Sequence, residues 1–129
     1  MAVDSFVSLR IIGELDIDQL SEQLGIQPSD SHKAGEKDMI GRPYEDDMWT
    51  FTIKKPKRNA LEKQLEMLVD TLRSKYGTLE EIKSNAKVDV FCAVTSYQQD
   101  GLSLSPKALS IFHDLQIKME VSLILFDEE

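Results

Sequence analysis

Three features of the sequence predict an α+β fold in which three helices cover one face of a four-stranded sheet. Four stretches alternate apolar and polar residues at a period of two. Three others repeat apolar residues every three or four positions behind residues suited to cap a helix, and the two kinds of segment interleave along one chain. At 129 residues the chain is expected to form a single domain, residues 1–129, which buries about two-thirds of its unfolded surface without disulfides or metals.

Residues 5–13 alternate, with Val7, Leu9 and Ile11 on one side and Ser8 and Arg10 on the other, which predicts the first strand. Asp16 then offers a cap, Ile17, Leu20 and Leu24 form a stripe, and Gly25 supplies a left-handed stop, so a short first helix follows. Residues 48–54 predict the second strand, with Trp49, Phe51 and Ile53 inward. The longest helix is expected to start at Asn59, capped reciprocally with Glu62, to carry Leu61, Leu65, Leu68 and Leu72, and to end near Gly77; Thr78 and Glu81 predict a further helical turn. Strand three, 87–97, places Val88, Val90, Cys92 and Val94 inward. Ser105 and Pro106 begin the third helix, expected to bury Leu109, Phe112 and Leu115. Strand four, 117–126, is expected to point Ile117, Met119, Val121, Leu123 and Leu125 inward. These connections fit either a mixed or a mostly antiparallel sheet. Leu15 before Asp16 with Leu20, and Leu104 before Ser105 with Leu109, repeat one hydrophobic-staple spacing, which leaves a duplicated strand-helix-strand unit open.

Composition excludes several classes of function. Hydrophobic residues at 41% and charged residues at 29% lie in the globular range, so disorder is not expected. The net charge of −8 repels phosphate backbones, and nucleic acid is not an expected partner. No apolar run approaches the ~20 residues that span a bilayer, so no membrane partner is expected. One cysteine and the absence of a leader-like start point to a reducing cytoplasm.

Catalytic motifs are equally scarce. Nucleophile elbows, phosphate loops and dinucleotide fingerprints are absent, and Cys92 sits at a core position of a strand where a thiol is inert. Two separated histidines and one cysteine do not make a zinc site. A calcium loop begun at Asp30 would put Ala34 and Gly41 where oxygen ligands are required. No catalytic residue, metal ligand or cofactor is therefore assigned.

The segment from Gln27 to Asp47 has no clear period and exceeds the about 12–15 residues of ordinary loops, so it is a candidate site, with Lys33, Arg42 and Tyr44 as its polar contacts for a small molecule. The runs L-G-I-Q-P-S (Leu24 to Ser29) and K-A-G-E (Lys33 to Glu36), the following Trp49, L-S-P-K-A-L (Leu104 to Leu109) and the closing strand resemble the bacterial domain of unknown function 4279 family over nearly the whole chain. That resemblance implies an α+β domain of bacterial origin, and it transfers no activity or catalytic residue.

Two surface features remain. Lys54, Lys55, Lys57 and Arg58 stand just before the longest helix, where free N–H groups favour a small anion such as phosphate or a carboxylate. On the sheet face away from the helices, alternation places Phe6, Arg10, Phe91, Tyr97 and Phe126, with Thr50, Thr52 and Ile124 beside them. Aromatics with arginine are enriched at interfaces. The leading expectation is thus a small acidic protein-interaction module, homodimeric or masking a basic protein as immunity-type inhibitors do. A small-molecule or anion-binding protein or enzyme, with its site at the 27–47 loop, is the alternative.

Overall fold

The computed structural model describes residues 3–96 and 102–125. In chain order the elements are β1 (Val3–Gly13), α1 (Ile17–Leu24), β2 (Asp30–His32), β3 (Asp47–Ile53), α2 (Leu61–Leu72), a 3-10 turn (Arg73–Lys75), α3 (Tyr76–Lys83), β4 (Lys87–Ser96), α4 (Pro106–Leu115) and β5 (Lys118–Leu125). The strands form one five-stranded sheet in the order β2-β3-β1-β4-β5. β1 pairs antiparallel with β3 and β4, β2 antiparallel with β3, and β5 parallel with β4, so the sheet is mixed.

The alternation read from the sequence explains the core. Register aligns Ile11 with Trp49 and Val88, Leu9 with Phe51 and Val90, and Val7 with Ile53 and Cys92, which puts three apolar rows on one face. Onto that face pack Leu20 and Leu24 of α1, Leu61, Leu65, Leu68 and Leu72 of α2, Leu79 and Ile82 of α3, and Ile111 and Leu115 of α4, all in one cluster. Caps fix two helix starts as expected: Asp16 accepts from the Gln19 N–H at 3.1 Å, and the Ser105 hydroxyl accepts from the Ala108 N–H at 3.0 Å with Pro106 in the first turn. Gly25 closes α1 in the left-handed conformation, φ 66°.

The structure corrects five readings. The sheet has a fifth strand, β2, whose three polar residues carry no period and become a strand only by pairing with β3. Asn59 does not cap α2; it takes a positive φ of 50°, and Ala60 precedes the helix with no side-chain cap. Gly77 and Thr78 neither stop nor start a helix but lie inside α3, because the break in regular winding comes earlier, at the 3-10 turn. In α4 the buried stripe is Ala108, Ile111 and Leu115, which leaves Leu109 exposed and Phe112 half-buried. Of the inward set expected for the last strand only the start is covered: Ile117, just before β5, is buried and Met119 half-buried, whereas Val121, Leu123 and Leu125 are exposed.

Candidate functional site

The long segment before β3 is held by one carboxylate. Asp47 accepts from the Leu15 N–H at 2.8 Å, from the Ala34 N–H at 2.7 Å and from Lys33 Nζ at 2.8 Å, while Lys33 Nζ also donates to the Leu15 carbonyl at 2.5 Å. The Leu15 N–H, then Lys33, then the Ala34 N–H hold the Asp47 carboxyl well below the usual aspartate range, because each favours the charged form. Beyond this pin the chain folds into a narrow hairpin, with Gly35 N–H on the Tyr44 carbonyl at 3.0 Å, Tyr44 N–H on the Glu36 carbonyl at 2.9 Å, and Asp38 N–H on the Arg42 carbonyl at 2.8 Å. Asp38 Oδ1 caps the tip by accepting from the Ile40 and Arg42 N–H groups, and Gly41 supplies the φ of 83° the turn requires.

Lys33, Arg42 and Tyr44 are placed by different neighbours. Lys33 is committed to Asp47, Arg42 pairs with Asp38 at 3.8 Å, and Tyr44 stacks on His32 with ring centroids 3.5 Å apart and planes 6° off parallel. Beside them the cleft between Leu15, Asp16, His32, Lys33 and Glu36 is broad and open to solvent. Asp47 was missed by sequence reasoning because two of its three partners are backbone N–H groups, which leave no signature in residue type.

In the basic turn, Lys54, Lys55, Lys57 and Arg58 are all exposed. Their backbone is anchored from below by buried Gln64, whose Nε2 donates to the Pro56 carbonyl at 2.7 Å and the Ser5 carbonyl at 2.9 Å, and whose Oε1 accepts from the Ser5 hydroxyl at 2.6 Å. The four cations thus stand on a fixed turn in front of a helix whose first N–H groups have no side-chain cap.

Across the open face of the sheet, Phe6, Arg10 and Phe91 are brought together; Tyr97 and Phe126 lie outside the described residues. Arg10 grips Asp89 with two hydrogen bonds, Nε to Oδ1 at 2.8 Å and Nη2 to Oδ2 at 2.7 Å, and also pairs with Glu120. Its guanidinium lies 4.9 Å over the Phe91 ring, which in turn meets Phe6 at 6.2 Å. The bond to Asp89 raises the Arg10 pKa further, against the opposing effect of burial. One side chain therefore ties β1, β4 and β5 together.

The two edges of the sheet differ. One is β2, three residues long and polar. The other is β5, eight residues long and, among the described residues, bonded on one side only. Val121 and Leu123 share the core parity, opposite Cys92 and Val94, yet the described residues leave them uncovered, with exposures of 48% and 56%. Leu125, also on that face, is 56% exposed, and Ile124 on the other is 50% exposed. Period assigned the face of each residue; it carried no information about cover.

Among the described residues no group of three or more His, Cys, Asp or Glu is arranged to hold a metal, and no helix is long and apolar enough to cross a membrane. Residues 3–125 match the model of a family described as a domain of unknown function (DUF4279). Comparison with curated proteins and with solved structures gave no significant match.

Proposed function

The chain belongs to that family, and we propose that this member is a protein-interaction module that docks a partner protein along the β5 edge. The carrying observation is that, among the described residues, β5 has an unpaired side and an apolar outer half at once. Natural sheets blunt their edges with charge, proline, bulges or shortness. β2 is blunted in this way. From Val121 to Leu125, β5 has no charge and no proline. Strand addition gives affinity through main-chain hydrogen bonds and selectivity through alternate side chains. Phe6 and half-buried Phe91 extend the apolar surface across the open face. A bacterial cytoplasm is the setting we propose, in keeping with the family resemblance and the single cysteine, and we assign no catalytic residue.

The test compares two immobilised baits, the parent chain and a Leu123→Lys, Leu125→Lys double variant. Both substituted positions are exposed, so the unfolding free energies of the two chains should agree within about 0.5 kcal/mol. The reading requires a saturable protein ligand retained by the parent and lost by the variant. Identical binding by both baits refutes it.

A second reading, an anion site, is favoured by the basic turn: four exposed cations in front of an uncapped helix suit phosphate or a carboxylate ligand. Titration with inorganic phosphate should move the amide resonances of residues 54–62 first. A uniform response elsewhere with those residues unmoved refutes that reading.

A further inference from the structure

We infer that the partner on β5 is a second copy of this chain, added antiparallel about a two-fold axis through Ser122, so that two sheets become one. The inference rests on the interaction reading above and supplies its occupant.

The argument is one of self-complementarity. A two-fold axis perpendicular to the sheet keeps both helix layers on the same side and sets each residue opposite one of like parity, so the axis must pass through a residue. An axis at Glu120 places that carboxylate against its own copy, and like charges directly opposite are destabilising. Moved to Val121, the axis leaves exposed Leu125 opposite Ile117, which precedes the strand and is already buried. At Leu123 the ladder shortens to residues 121–125. At Ser122 it spans 119–125: Val121 meets Leu123, Met119 meets Leu125, and Glu120 faces Ile124. Each exposed apolar residue on the helix side then has an apolar partner, and no like charges meet. The Arg10–Glu120 pair helps, because it holds the only carboxylate in that ladder against its own protomer.

The net charge of each copy, −8, opposes association at long range. Added salt should therefore tighten the dimer by screening.

The experiment combines sedimentation equilibrium with cysteine cross-linking of the full chain. The parent should show twice its 14.7 kDa mass at micromolar concentration. Leu123→Lys should raise the dissociation constant at least about tenfold, since the change enters the interface twice. Facing Cα atoms about 4.5–5.5 Å apart fall within the about 4.4–6.8 Å that a disulfide accepts. Under oxidation Ser122→Cys should give a covalent dimer, while Lys63→Cys on α2 should not. Native Cys92 is buried and does not compete.

A mass that stays monomeric to about 100 µM overturns the inference. So does a dimer that Ser122→Cys fails to trap. The bait comparison separates the two levels: a monomer whose baits still differ keeps the interaction reading with a foreign partner. A monomer with identical baits loses both.

Discussion

Replacing Trp49 tests the core on which the site is mounted. The indole is fully buried in β3, opposite Ile11, and its Nε1 donates to the Ser21 hydroxyl of α1 at 3.0 Å. That hydroxyl in turn donates to the Ile17 carbonyl at 3.0 Å, so the ring links α1 to the sheet by a hydrogen bond as well as by packing. Truncating a large buried aromatic to alanine costs about 3–5 kcal/mol in lost transfer energy and cavity. Ser21 keeps its own bond to Ile17, so the lost hydrogen bond adds only about 0.5–1 kcal/mol. Trp49→Ala should thus destabilise by about 3.5–6 kcal/mol, and Trp49→Phe, which retains most of the volume, by about 1–2 kcal/mol. Trp49 is the only tryptophan, so urea unfolding must be followed by far-ultraviolet circular dichroism, not by fluorescence. A loss under about 1 kcal/mol for the alanine variant would refute the packing argument. Equal losses for the two variants would show that the hydrogen bond, not volume, carries the site.

Other consequences are as direct. The folded Asp47 carboxyl titrates below its unfolded value near ~4, so its stabilisation is complete above that value and fades as pH falls below it; the stability gap between the parent and Asp47→Asn should narrow on acidification from pH 7 to about 3, and a constant gap would contradict the pin. Burial pushes the Cys92 thiol up to about 11, so at pH 8 it should resist a thiol reagent until the protein unfolds, and rapid labelling of the native chain would contradict its place in the core. Arg10→Ala leaves the buried Asp89, among the described residues, with only the Lys87 cation 4.0 Å away, and should cost about 2–3 kcal/mol, below the fully buried case because Arg10 is partly solvated; Arg10→Lys should recover less than half of that in the same urea titration, since the two-pronged grip needs a guanidinium.

Much of the framework was legible because each central strand buries one face only. A period of two then suffices to separate Leu9 from Arg10 and Cys92 from Phe91, and the stripe from Leu61 to Leu72 names the helix that covers them. The cap Ser105 with Pro106 was legible for a local reason, since both residues act within one turn. β2 was not, because Asp30, Ser31 and His32 are a strand by virtue of Thr50, Trp49 and Met48 opposite them. Asn59 misled because an asparagine that can cap a helix also tolerates a left-handed turn, and the chain used the second property. Of the candidate sites, the cations at 54–58 and the cluster of Phe6, Arg10 and Phe91 were legible from position. The commitments of Lys33, Arg42 and Tyr44 depended on Asp47, Asp38 and His32 arriving beside them through the fold.

The Arg10 network and the β5 edge are one physical problem. An edge strand with a single bonded neighbour frays readily, and ordering it on encounter would cost backbone entropy of about 1–2 kcal/mol per residue. β5 carries three restraints against this: the parallel ladder to β4, the crossover through α4, and the Arg10–Glu120 pair that reaches it from the central strand. A strand held in this way meets a partner already extended, so the main-chain bonds it gains are not spent on ordering itself. Arg10→Ala should on this argument weaken association as well as folding, although Arg10 lies two strands from the edge, with β4 between it and β5. Leu123→Lys should weaken association alone. If Arg10→Ala affected binding only in proportion to its loss of stability, β5 would be held by the sheet without help from Arg10.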